Sequence, residues 1–477
     1  MKLGKFAKFS LIFWANCGIL LILSNPIRWL FFGFINILFL KFVSPKKLIL
    51  FSGLVAPAVY SFHVLAIENN RLEPLINSGT LVRAEGRMAS DPSKMPAKKI
   101  NNFQLPTRYT ALVNLDQITF NGISYKIRLP IRLISSQFIS LQFGQVAEFV
   151  GKIQSTNENK VVAILATRTS PNLIKDADLI TKLANKLREN FLAACKQIKG
   201  DSGALIPGFV MGDTSLESDK FKSEMQIVGL THLTAVSGEN FSILALALAW
   251  IFERLIRNYK FRIILVALIS LWFIYLARPS GSVMRAAVMC GFYLWGKWKG
   301  LEIEPVNALT GSLFILILFD PFFAVDPGFV LSFLVTLGIF LLYPSIFERI
   351  SKRLGENRFT KVLALSLSAT IPTIPIAIWI SGQISITSLL ANLLVELAVA
   401  PITVLGLLAA IFSPFFKSFT HLILLPTNLF AQWIVLVAKY LSVLPPIPFP
   451  KGGLGAILFL GLGMIGAVFF RLWHSRW

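Results

Sequence analysis

The sequence is short of the groups on which most hydrolytic and redox chemistry depends. It has three cysteines, Cys17, Cys195 and Cys290, far apart and without a CxxC pair, which excludes a disulfide framework and a thiolate metal site. Its four histidines, His63, His232, His421 and His474, are equally scattered, so no metal centre and no cofactor is expected. No G-x-x-x-x-G-K-[ST] segment occurs, and any nucleotide-driven force of that type must come from a partner. Negative charge is scarce as well: 24 Asp+Glu stand against 46 Lys+Arg, a formal +22. That excess favours nucleic acid or anionic lipid as partners, and part of it serves equally as the basic loops that fix membrane topology.

Apolar residues, by contrast, make up 55% of the 477, with 15% charged and a mean hydropathy of +0.68, the profile of a polytopic membrane protein. A bilayer crossing takes roughly 20 mostly apolar residues. Three candidate spans come first, near 6–24, 28–43 and 48–67, and nine follow, near 232–252, 261–276, 283–298, 305–318, 328–343, 361–380, 385–412, 421–443 and 454–471. No small-residue cleavage site follows the first, so it is not a cleaved signal peptide. Basic loops such as "ERLIRNYKFR", "KWK" and "ERISKRLGENRFTK" fall at every second connection. The positive-inside rule then gives about twelve spans in the cytoplasmic membrane, with both termini cytoplasmic.

The chain divides into four parts: a three-span segment at 1–67, a β-rich segment at 68–171, an amphipathic helix at 172–200 and a nine-span block at 201–477. In the second part "GTLVRAEGRM", "YTALVNLDQITFNGISYKIRL", "GQVAEFVGKI" and "KVVAILAT" alternate like strands, and Asn121-Gly122 marks a hairpin. About five such strands suggest an inserted, extracytoplasmic small β-barrel of the OB type, although alternation alone fits other compact β-folds. Tyr109, Tyr125, Lys126 and Arg128, with Phe103 and Phe120, are either core and solvated-face residues or a groove for single strands. The third part repeats Leu173, Ile180, Leu183, Leu187, Phe191 and Ile198 at helical spacing.

Polar groups recur where lipid-facing helices tolerate none. They are Asp213, the cluster His232, Ser237, Glu239 and Asn240, then Arg278 and Arg285, Asp320 and Asp326, and Asn392 and Glu396. Such groups must face protein or an aqueous cavity. Pro and Gly accompany them, as in broken helices that line transport paths or simply kinks in packed ones. His232, Ser237 and Glu239 are also the ingredients of an acyl-transfer site, yet a five-residue separation places His232 and Ser237 poorly for one helix face.

At these residues the sequence resembles the ComEC family of bacterial competence proteins. "MGDTSL" followed by "FKSEMQIVGLTHLTAVSGENFSI", then "ARPSGSVMRAAVM", "DPGFVLSFLVTLGI" and "GQISITSLLANLL", are similar to five family motifs in family order. The resemblance implies a channel rather than an enzyme, carrying single-stranded DNA across the cytoplasmic membrane. Its path is formed by Asp213, His232, Ser237, Glu239, Asn240, Arg278, Arg285, Asp326 and Asn392, with capture by Tyr109, Tyr125, Lys126 and Arg128. Arg278 and Arg285 are the leading phosphate contacts, because a guanidinium offers forked donors and keeps its charge when partly buried. Partners implied are membrane lipids, a cytoplasmic translocase or helicase, a surface DNA receptor and pilus; a homo-oligomer is left open. Many family members carry a metallo-β-lactamase-like domain with an H-x-H-x-D-H motif; the motif does not occur in this sequence, so a separate nuclease is expected. Val330 stands where the family often has Gln, which implies one polar lining group fewer. The alternatives are a transporter of a lipid or small anion, and an intramembrane serine hydrolase.

Overall fold

Alternation closes the second part of the chain into a barrel. Strands β1 (Leu81–Met88), β2 (Tyr109–Phe120), β3 (Ile123–Ser135), β4 (Val146–Gln154) and β5 (Ile164–Thr167) pair in the order β1-β2-β3-β5-β4, and β4 pairs back onto β1. The β3–β5 contact is parallel and the others are antiparallel. Inward residues such as Val82, Ala84, Val113, Leu115, Leu133, Phe149 and Leu165 are buried together, and closure leaves no free edge. Asn121 and Gly122 turn the hairpin at φ 49° and 78°, the pair of positive angles a type I′ turn needs. Gly86 sits at a β1–β2 register shift, where a Cβ would lie 2.7 Å from the Asn114 carbonyl oxygen. Here only glycine fits.

The chain is seen in a computed structural model, which describes residues 5–22, 55–59, 76, 79–95, 99–100, 103–104, 107–156 and 161–450. The expected spans at 28–43 and 454–471, most of that at 48–67, and His63 and His474 lie outside the described residues.

The connecting segment differs from its expected single helix. It opens as strand β6 (Asn172–Lys175), antiparallel to β4, and becomes helix α2 only at Leu179–Cys195, capped by Asp178. Leu173 therefore belongs to a strand. Its apolar stripe is not uniformly buried either: Ile180 and Leu183 are exposed, whereas Asn185 and Arg188 are buried. The reason is electrostatic and appears below.

After α2 come α3 (Asp201–Met211), α4 (Asp219–Val228), α5 (Gly238–Leu255), α6 (Tyr259–Ala277), α7 (Gly281–Lys299), α8 (Pro305–Phe319), α9 (Pro327–Leu354), α10 (Arg358–Thr370), α11 (Ile374–Ser381), α12 (Ser388–Phe412) and α13 (Lys417–Leu441). An apolar core joins α2, α3, α5, α6, α7, α12 and α13, and a second joins α1 (Lys5–Ile22) to α8 and α9. Among the described residues α6, α9, α12 and α13 are long and apolar enough to cross a membrane, and the pair α10–α11, bent by 51°, makes a fifth. Pro372 lies at that bend; it has no N–H to carry a helix onward. Of the other expected spans, α5 carries Glu239, Glu253 and Arg254 and α8 has only 15 residues. Large apolar side chains such as Leu268, Leu271, Leu397 and Leu429 stand exposed on the bundle, as a lipid-facing surface requires.

Candidate functional site

Helix α5 starts within the polar cluster of His232, Ser237, Glu239 and Asn240. Ser237 is its N-cap, the side-chain oxygen accepting from the Asn240 amide at 3.2 Å. The Gly238 amide donates to Ser282 Oγ at 2.8 Å, and Ser282 Oγ lies 3.1 Å from Ser332 Oγ of α9. Arg285 of α7 completes this group: Nε and Nη2 donate to Ser332 Oγ at 3.1 and 2.8 Å, and Nη1 reaches Met289 Sδ at 3.0 Å. Arg285 is only 6% exposed, and no carboxylate among the described residues pairs with it. A Cβ on Gly238 would sit 3.0 Å from Nη2, so the guanidinium lies against the start of α5. Both the arginine and the helix N-terminus are positive there. Among the described residues the guanidinium is met by a hydroxyl and a sulfur and the first amides of α5 by hydroxyls, and a buried cation without a counter-charge costs several kcal/mol.

His232, in the 3₁₀ turn Thr231–Thr234, and Glu239, in the first turn of α5, are both exposed. Glu239 has Glu396 of α12 as its charged neighbour rather than Arg285. Asn240 is buried and structural: Nδ2 donates to the Phe209 carbonyl at 2.9 Å and Oδ1 lies 3.1 Å from Thr403 Oγ1, tying α5 to α3 and α12. Asn392, one turn into α12, contacts Ser388 Oγ at 3.5 Å. Asp326 caps α9 through the Phe329 amide, and Val330 is buried next to it. Ser237 and His232 share no hydrogen bond among the described residues, and the Ser237 oxygen is engaged as a cap. A nucleophile–base pair is therefore not assembled.

Asp213 and Arg278 belong to a different group, which sequence patterns missed. Asp91, in the loop after β1, accepts from Arg278 Nε and Nη2 at 2.8 and 2.9 Å and from Arg188 Nη2 at 3.1 Å. Arg278 also donates to Asn185 Oδ1 at 2.7 Å and to the Tyr275 carbonyl at 3.0 Å, with Phe143 packed on its face at 4.5 Å. Arg188 bridges onward to Asp213 at 3.5 Å and to the carbonyls of Met211 and Leu276. Burial opposes a charge on Asp91, but the two arginines outweigh it and hold the carboxyl below its ordinary range. This explains why Arg188 is buried on α2 while its apolar neighbours are not. The phosphate contact expected at Arg278 meets a guanidinium already engaged with a carboxylate.

The barrel residues do not converge. Tyr109 opens β2 opposite Ser135, edge-to-face with Phe138 at 5.4 Å, while Tyr125 and Lys126 oppose Ile118 and Gln117 near the hairpin, at the other end of the strand pair. Arg128 lies in β3 between them. Phe138 is 68% exposed and Arg108 is exposed beside Tyr109. That aromatic and basic mouth was not singled out by the sequence, because Phe138 falls in a loop without periodicity.

Long apolar helices carrying an inserted five-stranded barrel, joined to it by buried ion pairs, define a membrane protein with a docked β-domain. The family model of the Competence protein matches residues 209–476, more than half of the chain, and the chain belongs to that family. It is 32% identical over 233 residues to ComE operon protein 3 of Bacillus subtilis (strain 168), a match covering 47% of this chain and 29% of that protein. The chain thus matches less than a third of that relative's length, and both findings agree with the ComEC resemblance of the motifs. No solved structure matches the chain.

Proposed function

We propose that this protein takes up DNA by passing one strand across the cytoplasmic membrane through the bundle of residues 201–477. The observation that carries the reading is Arg285: a buried guanidinium with no carboxylate partner among the described residues, set against the start of α5 and bonded to Ser332, which Ser282 contacts. A phosphodiester is an anion of the right chemistry for that place, and a strand presents one at every nucleotide. The formal charge of +22 and membership of the competence family support the same cargo. In this reading about twelve spans cross the membrane, both termini are cytoplasmic and the barrel lies outside. The strand is captured by stacking on aromatics such as Tyr109 and Phe138 beside Arg108, passes the exposed His232 and Glu239, and leaves to a cytoplasmic translocase or helicase. A receptor, a pilus and a separate nuclease act upstream.

The test is entry of labelled DNA into the cytoplasm of a deletion strain complemented with wild type or Arg285→Met at equal membrane abundance. Restoration by wild type and failure of the variant is expected. Undiminished entry in the deletion strain overturns the reading and favours export or import of a single small phosphate-bearing anion, which the Arg285 site would also hold.

A further inference from the structure

We propose that Asp91, Arg188 and Arg278 form a docking lock that holds the barrel on the membrane bundle at the head of the Arg285 site, so that a captured strand is delivered there only while the lock is closed. The cargo in this statement rests on the DNA-uptake reading; the lock itself does not. Two barrel loops and two helices meet in it. Asp91 comes from the loop between β1 and β2 and Phe143 from that between β3 and β4, Asn185 and Arg188 from α2, and Arg278 from the end of α6. Gln142 of the barrel and Glu189 of α2 add a contact beside it.

Backbone strain points to the same role. Arg278 has φ 66° and ψ 143°, a region that suits glycine, and among the described non-glycine residues only Asn121 of the hairpin also has a positive φ. The side chain holds an arginine there: three of its five N–H donors go to Asp91 and Asn185, outside its own helix, and a fourth to the Tyr275 carbonyl. Most of its bonding capacity is thus spent between elements.

The lock is also contiguous with the anion site. Four residues beyond Arg278, Ser282 accepts from the Gly238 amide and contacts Ser332, which holds Arg285. Next to Asp213, Gly212 packs so closely that a Cβ would lie 3.3 Å from the Ala277 carbonyl oxygen and 3.5 Å from Val236. The loops bearing Asp213, Arg278 and Ser237 therefore form one packed layer, and opening the lock shifts the layer that frames Arg285. Asp91, Arg188 and Arg278 are positioning residues, acting on the strand through the barrel they hold.

Two variants of the full chain in detergent test this. Asp91→Asn removes the charge, and Arg278→Gly removes the side chain while relieving the strained backbone, so it is expected to fold. In both, amide exchange in loops 89–95 and 136–145 should quicken about tenfold or more while strands β1–β5 keep their protection. Binding of a fluorescent single-stranded oligonucleotide should stay within about twofold of wild type while DNA entry in cells falls about tenfold or more. Unchanged loop exchange in both variants refutes the lock, and so does full DNA entry with the loops released. Oligonucleotide binding lost in step with entry refutes the positioning role, since these residues would then touch the strand. If the wild type neither binds nor imports DNA, the uptake reading fails and the exchange result alone decides the lock.

Discussion

Replacing Arg285 with methionine should cost little stability and most of the function, whereas the same change at Arg188 should cost much stability. Arg285 makes two hydrogen bonds, both to Ser332 Oγ, and one sulfur contact. Bonds of charged groups contribute about 1.5–3 kcal/mol each, but a bond pair sharing one hydroxyl falls short of double that. Against this stands the several kcal/mol of desolvation that an unpaired buried cation carries. Ser332 keeps Ser282 as a partner, and methionine fills most of the volume. The net change should lie within about 2 kcal/mol of zero. Arg188 is equally buried, but its loss leaves Asp213 without its salt bridge and the Met211 and Leu276 carbonyls without their donor. Breaking a buried pair from one side costs about 3–5 kcal/mol. Thermal unfolding of the two variants in one detergent, followed by tryptophan fluorescence, gives the comparison. An Arg285→Met variant destabilised as much as Arg188→Met would refute the reasoning, because Arg285 would then be a structural cation rather than one awaiting an anion.

Three further outcomes are expected. Glu217 is buried with neither carboxylate oxygen hydrogen-bonded among the described residues, and burial pushes its carboxyl up to about 8. The unfolded chain releases this proton near its ordinary value while the folded one keeps it, so stability is full at low pH and declines from about pH 4.5 to about pH 8. In Glu217→Gln this part of the decline should vanish, which melting curves across that range will show. Ser237→Ala removes a helix cap worth about 1 kcal/mol, and DNA entry should persist in proportion to the protein present; complete loss at normal abundance would return attention to a serine enzyme. In Gly281→Ala the new Cβ would meet Asp326 Oδ1 at 2.6 Å and the Phe329 amide nitrogen at 2.9 Å. Prying α7 from α9 in this way should cost about 1–3 kcal/mol, measured by thermal unfolding, and weaken DNA entry by moving Arg285 off Ser332.

The barrel strands were legible because each alternates inward and outward residues, and the Asn121-Gly122 turn has a local signature. A small barrel was expected from their number, but which strands close it, β4 onto β1, was not legible, since pairing between distant strands leaves no periodic trace. Leu173 extended the helical stripe of α2 only by coincidence of spacing and instead pairs with Ala147. Arg188 stands between apolar positions of α2, where a charge is ordinarily solvated; what buries it is Asp91, almost a hundred residues earlier, and no local rule links them. Arg278 and Arg285 read alike as span-flanking arginines beside "PSGSVM", and only the geometry separates an engaged guanidinium from one without a counter-charge among the described residues. Helix boundaries departed from the apolar runs in two ways: α9 continues to Leu354, past the expected 328–343, and Pro372 divides the expected 361–380 span into α10 and α11.

The most direct measurement is photo-cross-linking from the anion site during uptake. A cross-linker attached at Thr336→Cys, one turn along α9 from Ser332, leaves the Arg285–Ser332 contact in place; it should capture labelled single-stranded DNA in living cells while import proceeds, and capture should disappear when Arg285 is also replaced by methionine. Normal import of DNA with no cross-link at this position would contradict a strand path past Arg285.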